Sequence, residues 1–364
     1  MECLKKPVWN KYTREELETL AVSKPDEAIR KKVLQNWDKI AKPIEGMGRF
    51  EGIIAKIGAI LGSEIIDIDK KAVVIMCADN GIVSEGVSQS GQEVTLAVAK
   101  AMGKGESCVG RMAKAVGADT IPVDMGIYCE EMIEGLLSKK IRCGTRNFRK
   151  EPAMTEEETV QAIAAGIDIA FDCKKAGYKL LATGELGIGN TTTSSAVAAA
   201  LLKCDVSKVT GRGAGLSDAG LTRKQEVILE AIQKYKLYEA DTFTILKTVG
   251  GLDIAGLVGL CIGGALCHLP IVLDGVISMV AALLAERIIT GTKAYYIASH
   301  KGKEPAIEII AKELKLEPVI DGNLALGEGT GAVMMFSLLD TALSVYQNKI
   351  TFEDMQIEQY ERLS

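Results

Sequence analysis

Two glycine-rich stretches of this sequence each carry a carboxylate suited to acid–base chemistry. Glu328 lies between two glycines in "LGEGTGA" (326–332), and an apolar run follows directly. Burial among apolar neighbours raises the proton affinity of a carboxylate, and such a group is a usable general base near neutral pH. The alternative is that Glu328 is a first-turn charge favoured by the dipole of the following helix. Glu185 offers a second carboxylate, in "TGELGIGNTTTSSA" (183–196).

The stretch around Glu185 also has the composition of a phosphate site. Its glycines permit a tight turn with exposed amides, and Asn190 and the threonines after it add donors. Amides and hydroxyls at the start of a helix bind phosphate, although the same residues are also good turn formers. A second glycine loop, "TGRGAGLSDAGLTRK" (210–224), brings basic residues that include Lys224 near a helix start. Two carboxylates beside a phosphate cradle indicate chemistry on a phosphorylated sugar.

The composition narrows the class of protein and its partners. The 364 residues carry a net charge of -5 with both signs mixed along the chain, which argues against a nucleic-acid partner. Nine scattered cysteines without a CxxC pair, and no apolar signal segment at the N-terminus, predict a cytoplasmic protein. With two histidines, His268 and His300, a histidine-rich metal centre is not expected. Neither a Walker loop nor GxGxxG occurs, which removes the main support for a nucleotide-binding oxidoreductase.

One long uncharged run, residues 254–273, has the length of a membrane span. Several glycines, His268 and Pro270 interrupt it. We therefore predict a buried helix, a turn at His268 and a central strand "PIVLD", and no membrane span.

The rest of the chain predicts an α/β fold. Apolar strands alternate with helical segments, which indicates a parallel sheet covered by helices on both faces. The predicted strands are 72–81, 120–126, 179–187, 270–275 and 294–300, and the predicted helices include 93–103, 157–176, 194–202, 222–234 and 276–290.

Polar side chains follow these strands. In open parallel sheets the carboxyl edge is where ligands bind, although Asp and Ser also occur there as helix caps. The residues at this edge are Asp79, Asp124, Glu185, Asp274 and Ser299.

These motifs resemble those of the nicotinate-nucleotide:dimethylbenzimidazole phosphoribosyltransferases, which activate the lower-ligand base of cobalamin-type cofactors. The matching pieces keep their order across residues 40–335. They are "KPIEGMGRFE" (42–51), "VVIMCADNGIVSEGVS" (73–88), "GELGIGNTTTSSA" (184–196), "VGGLDIAGLVG" (249–259), "PIVLDGVIS" (270–278), "YYIASH" (295–300) and "LGEGTGA" (326–332).

The resemblance implies a role for each site residue. Glu328 corresponds to the general base and Glu185 to a second active-site carboxylate. Nicotinate mononucleotide would donate phosphoribose to an aromatic base, without metal or cofactor because its leaving pyridinium is already cationic. The residues expected to bind the two substrates are Gly187, Asn190, Thr191, Lys224, Ser90, Val98, Ser299 and Leu326.

Several positions depart from the family pattern. Asn80 replaces a histidine, Gly302 replaces a serine, and "KPIEGMG" stands for KPPGSLG. Val98 replaces a glutamine expected after "VT", so one polar partner of an imidazole-type base is lost. The acceptor is therefore expected to be dimethylbenzimidazole or a phenolic such as phenol or p-cresol.

The resemblance also implies an architecture. We expect a Rossmann-like parallel sheet in a large catalytic domain (41–332) and a small helical domain built from both chain ends (1–40 with 333–364). We expect a homodimer, or a heterodimer with a paralogue. The alternative function is a non-catalytic or partly active paralogous subunit of a heterodimeric phosphoribosyltransferase.

Overall fold

Six parallel strands form the central sheet of the protein. The computed structural model describes residues 12–361. The strand order is β3-β2-β1-β4-β5-β6. The chain adds β2 and β3 on one side of β1 and then adds β4, β5 and β6 on the other side, and α/β sheets bind ligands at such a switch point. The strands are β1 Lys71–Ala78, β2 Asp119–Gly126, β3 Leu137–Ser138, β4 Leu180–Leu186, β5 Ile271–Leu273 and β6 Tyr296–Ala298; a separate parallel pair consists of β7 His300–Gly302 and β8 Ile320–Leu324.

Helices cover both faces of this sheet, as the alternating side chains of β1 illustrate. Val74 and Met76 pack into one apolar layer, and Val73 and Ile75 pack into the other. The helices are α1 Arg14–Glu18, α2 Glu27–Asp38, α3 Arg49–Leu61, α4 Glu93–Gly103, α5 Cys108–Ala115, α6 Glu156–Lys175, α7 Asn190–Leu202, α8 Asp218–Lys234, α9 Thr242–Val249, α10 Leu252–Leu266, α11 Val276–Ile288, α12 Ala306–Leu314 and α13 Thr330–Gln347.

The predicted α/β class and the parallel sheet are confirmed. All five predicted strands are present, each ending within about three residues of its predicted position. The strands β3, β7 and β8 and the helices α3, α5, α9 and α12 were not among the predicted elements. The two residues of β3 and the three of β7 are too few to display a period of two.

The uncharged run is a buried helix followed by a central strand, as predicted. Helix α10 packs against α6 with backbones in contact: a Cβ at Gly259 would lie 1.9 Å from the carbonyl oxygen of Ile163. The glycines of this run therefore permit close packing of two helices. Within residues 12–361, no helix is long and apolar enough to cross a membrane.

The two chain ends meet beside α3. The rings of Trp37 and Tyr346 lie 5.2 Å apart, and Ile40 forms an antiparallel bridge with Thr351. Side chains of α2 and α13 share one apolar layer with β1. The division into a large and a small domain stays a prediction, and its segments 1–11 and 362–364 lie outside the described residues.

Candidate active site

A cavity of about 290 Å³ opens at the carboxyl edge of the sheet, close to the smallest volumes typical of ligand pockets, about 300 Å³. The loops after β4, β5 and β8 form its walls, and side chains of α4 close one flank. A wider groove, about 1470 Å³, runs along α2, α3 and the start of β6, and its lining includes none of the sequence-predicted site residues.

The cavity brings together most of the residues selected from the sequence. Three of them, Lys224, Ser90 and Ser299, do not line it. Those that do are Glu185, Gly187, Asn190, Thr191, Val98, Leu326 and Glu328.

Glu328 occupies an unusual backbone conformation. Its φ of 61° is left-handed, and it lies between Gly327 at 83° and Gly329 at 92°. A non-glycine residue in this region is uncommon and is often found at functional sites. The Glu328 Oε2 accepts a hydrogen bond of 3.2 Å from the amide of Val109 in the first turn of α5. Burial raises the pKa of Glu328 above its ordinary value, and the Val109 bond offsets part of this rise.

Asp274 fixes the loop that carries Glu328. Its buried carboxylate accepts hydrogen bonds from the amides of Gly329 at 3.2 Å, Gly331 at 2.8 Å and Ala332 at 3.1 Å. These are first-turn amides of α13, which lack partners within the helix. Asp274, from the end of β5, therefore caps α13 from another strand. Burial raises the pKa of Asp274, although His300 and these amides act in the opposite direction.

Glu185 lies against the same loop. A Cβ at Gly327 would be 2.7 Å from Glu185 Oε1, and a Cβ at Gly184 would be 2.6 Å from the backbone oxygen of Glu328. The two carboxylate loops are thus in direct contact, and bare glycines permit the approach. Burial raises the pKa of Glu185 to about 8, and the negative charge of Asp253 adds to the effect.

The first turn of α10 supplies a further carboxylate, Asp253, which the sequence analysis did not select. Its side chain is fully buried, and burial raises its pKa to about 7. The side-chain amide of Asn190 donates both to Asp253, at 3.1 Å, and to Glu185. The sequence signal was present, because Asp253 belongs to the matched stretch "VGGLDIAGLVG".

Lys224 lies behind the cavity wall, next to Thr191. Its Nζ donates to Thr191 Oγ1 at 2.9 Å and to the Gly211 carbonyl at 3.2 Å. Burial lowers the pKa of this lysine to about 8, partly offset by Glu304. The Glu304 carboxylate accepts a 2.9 Å hydrogen bond from the Gly213 amide. A buried lysine, a hydroxyl and loop amides are together suited to an anionic group.

Two predicted binding residues, Ser299 and Ser90, do not line the cavity and contact other parts of the protein. Ser299 is fully buried; its hydroxyl lies 2.9 Å from His300 Nδ1, and its carbonyl accepts the amides of Val319 and Ile320. Ser90 lies in the loop before α4, where its amide donates to Ser88 Oγ at 3.3 Å. Their roles in substrate binding stay predictions.

The residues that the structure describes do not form a set of metal ligands. Between residues 12 and 361, no group of three or more histidine, cysteine, aspartate or glutamate side chains is placed to hold an ion.

Comparison with known proteins identifies the family. A family model described as phosphoribosyltransferase matches residues 22–357. The chain belongs to this family. It is an enzyme of the phosphoribosyltransferase class, and the resemblance drawn from the motifs is confirmed.

Individual relatives agree with this assignment along nearly the whole chain. The nicotinate-nucleotide–dimethylbenzimidazole phosphoribosyltransferase of Acetivibrio thermocellus is 44% identical over 329 residues, 90% of this chain and 94% of that protein. The protein of the same name from Clostridium perfringens strain ATCC 13124 is 42% identical over 321 residues, 88% of this chain and 89% of that one. The crystal structure of CobT from Thermus thermophilus matches with a TM-score of 0.87 at 33% identity, covering 92% of this chain and 100% of that one.

Proposed function

We propose that this phosphoribosyltransferase moves phosphoribose from nicotinate mononucleotide to the lower-ligand base of a cobamide, yielding an α-riboside phosphate and nicotinate. The observation that carries the proposal is the contact between the Glu185 and Glu328 loops in one cavity, whose lining includes Thr191, with Lys224 hydrogen-bonded to Thr191 behind the wall. The names of the relatives support the choice of substrates.

The carboxylates suit the positive pyridinium ring of the donor. Burial raises the pKa of Glu185, and the charges of Asp253, Asp274 and Glu328 add to the effect, so a positive charge that enters the site favours the ionised carboxylate. In nicotinate mononucleotide the pyridinium nitrogen at C1′ is positive, and the ribose gains positive charge as that bond breaks. Fixed negative groups stabilise this charge best where water is excluded. Glu185 is the group proposed for this role.

Glu328 is proposed as the general base. The acceptor atom forms a bond to C1′ from the face opposite the leaving group, so the configuration inverts from β to α. The C1′–N electron pair leaves with nicotinate, and the proton of the acceptor passes to Glu328. A raised carboxylate pKa brings the base closer to neutral pH, where proton transfer is efficient.

The phosphate is proposed to bind at the other end of the cavity. Lys224 and Thr191 are hydrogen-bonded to each other, and Gly187 and Asn190 line the same wall. The start of α7 at Asn190 adds a favourable helix dipole.

The acceptor flank is apolar. Val94 and Val98 of α4 line the cavity, and Leu326 faces it from the β8–α13 loop. An imidazole-type base needs a partner for its second ring nitrogen, whereas a phenol has a single oxygen on an apolar ring. We therefore propose that phenol or p-cresol is accepted alongside dimethylbenzimidazole.

We also propose that the enzyme functions as a dimer. Three apolar side chains of α13 are exposed in the single chain: Met334, Leu338 and Val345 are 42%, 38% and 37% accessible. They lie at helical spacing on one side of α13, and such a row suits a protein contact.

One experiment tests the proposed function directly. The purified protein is incubated with nicotinate mononucleotide and a panel of benzimidazoles, purines and phenols, and the products are analysed by mass spectrometry. We expect an α-riboside phosphate from dimethylbenzimidazole or a phenolic, formed about 10²–10⁴-fold more slowly by the E328Q variant. Absence of product with every acceptor would favour the alternative, a non-catalytic paralogous subunit. Sedimentation of the protein alone tests the homodimer.

A further inference from the structure

Asp253 is a buried acid for which the proposed reaction gives no role. It is fully buried, it does not line the cavity, and no side chain donates to its Oδ1 within the described residues, where the amides of Asp253 and Ile254 are the other donors to its carboxylate. Burying a carboxylate without a cationic partner is costly. A hydrocarbon side chain in the first turn of α10 would avoid that cost, so the position calls for an explanation.

Asn190 connects Asp253 to the cavity. One nitrogen, Nδ2, donates to Asp253 Oδ2 at 3.1 Å and to Glu185 Oε2. Asn190 and Asp253 are 63 positions apart, so the contact joins α7 to α10 across the end of β4. The other oxygen of Glu185 faces Gly327 and the loop of the general base. The Asn190 side-chain amide thus donates hydrogen bonds to both the Glu185 carboxyl group and the Asp253 carboxyl group.

The charges around this pair are nearly all negative. Glu185 is faced by Asp274 at the end of β5 and by Glu328 in the β8–α13 loop. Asp253 is faced by Asp79 after β1, and the Cys77 thiol of β1 lies near both members of the pair. The basic side chains of this sheet edge contact other groups: Lys140 lies against Asp124, His300 against Asp274, and Lys224 donates to Thr191. Two negative charges this close in a buried site favour retention of a proton.

We infer that Asp253 is a positioning residue that acts through Asn190 on Glu185, fixing its carboxyl group and making the pair hold a proton until a positively charged ring enters the site. The inference rests on the proposed function for the identity of that ring, the pyridinium of the donor. When the pyridinium arrives, its charge favours the ionised pair, and the proton leaves to water. Glu185 then carries its negative charge only when the donor is bound.

Proton release on binding is the first test. Nicotinate mononucleotide is titrated into the protein at pH 7.5 by calorimetry, in two buffers of different ionisation enthalpy. Wild type is expected to release close to one proton per site, and D253N to release at most half as much, because its Glu185 is already ionised. Equal release by both proteins would overturn the inference.

A second measurement needs no substrate and therefore separates this inference from the proposed function. The protein is labelled with ¹³C at the glutamate side-chain carboxyl, the Glu185 resonance is assigned with E185Q, and the pH titration is followed by NMR. D253N should lower the titration midpoint of Glu185 by about one pH unit, because one neighbouring charge is gone. The matched control D79N removes a buried acid of the same sheet edge without touching Asn190, so its shift should be smaller.

Every outcome of the titration decides the role of Asp253. An unchanged midpoint in D253N, or equal shifts in D253N and D79N, would leave Asp253 as a purely structural residue. If D253N does not fold, N190A tests the bridge from its other side: Glu185 loses a donor to its charged form, so its midpoint should rise. No change in N190A would overturn the inference. A protein that fails to turn over any acceptor can still be titrated, so failure of the proposed function does not conceal the answer.

Discussion

Oε2 of Glu328 lies 3.2 Å from the backbone amide of Val109, a residue 219 positions earlier in the chain. The contact joins the β8–α13 loop to the first turn of α5, whose amides have no partner inside the helix. The Val109 backbone amide therefore orients one oxygen of the proposed base, and a side-chain substitution at Val109 does not remove that amide. The glycine-flanked, left-handed conformation of Glu328 directs the side chain to that amide.

Replacing the proposed base tests its role most directly. E328Q keeps the size of the side chain and an acceptor for the Val109 amide, but it cannot take up a proton. We expect turnover to fall about 10²–10⁴-fold while nicotinate mononucleotide still binds. Steady-state kinetics with calorimetric binding checks this, and the exposed E157Q serves as the control. Near-normal turnover would show that the carboxylate is only a helix-end charge.

Binding of the donor phosphate should weaken at alkaline pH. The pKa of Lys224 is lowered to about 8 by burial, so the free enzyme loses this positive charge as the pH rises through that value. We expect the Kd of nicotinate mononucleotide to increase above pH 8. K224A should weaken binding by about 1.5–3 kcal/mol and should flatten this pH dependence, while the exposed K208A should change neither. Unchanged affinity in K224A would assign the phosphate to other groups.

Val98 should govern the choice of acceptor. V98Q supplies a polar partner for the second ring nitrogen of a benzimidazole, and a buried polar group left unpaired costs about 1–3 kcal/mol. The ratio of kcat/KM for dimethylbenzimidazole over phenol should therefore rise about 5- to 150-fold in V98Q. V98L, which keeps the flank apolar, should leave the ratio near wild type. The idea is wrong if phenol is not a substrate or if V98Q leaves the ratio unmoved.

The buried carboxyl group of Glu185 should make the protein less stable in alkali. Its pKa rises from an ordinary 4.5 to about 8 on folding, so the folded state binds more protons than the unfolded state between these values. Stability is therefore lost as the pH rises through this window. E185Q removes the ionisable group. In thermal unfolding, the Tm of E185Q minus the Tm of wild type should be larger at pH 9 than at pH 5. The same difference at both pH values would contradict the assignment.

The contact between α6 and α10 should not tolerate a methyl group. In G259A the new Cβ would lie 1.9 Å from the Ile163 carbonyl, so the helices must separate. We expect a loss of about 1–3 kcal/mol or more in the free energy of unfolding. The control is G52A in α3, where a Cβ meets nothing within 4 Å and should be neutral or stabilising. Denaturant titration of both variants measures the difference.

The sequence predicted the elements that have a strong period and the residues that follow them. Glu185 and Asp274 were selected because they end apolar strands, and the parallel sheet does place both at one cavity. The motifs around Asn190 and Glu328 were distinctive enough to identify the family.

Contacts between distant segments could not be predicted in this way. The Val109 amide and the Asn190–Asp253 bond depend on how α5 and α10 are placed on the sheet, and no local pattern encodes that placement. Ser299 is a further example. It follows a strand as expected, but its hydroxyl contact with His300, which lines the cavity, depends on packing that the sequence pattern does not show.

Helix α4 contributes the apolar flank of the cavity through Val94 and Val98, and the carboxylates come from strand ends and loops on other elements. During evolution, a substitution on α4 can therefore alter which aromatic compound is accepted while the atoms that break and form bonds stay in place. If the acceptor occupies this flank as proposed, exchanges at Val94, Val98 and Leu326 would let a lineage change its aromatic substrate while every intermediate form keeps the catalytic carboxylates.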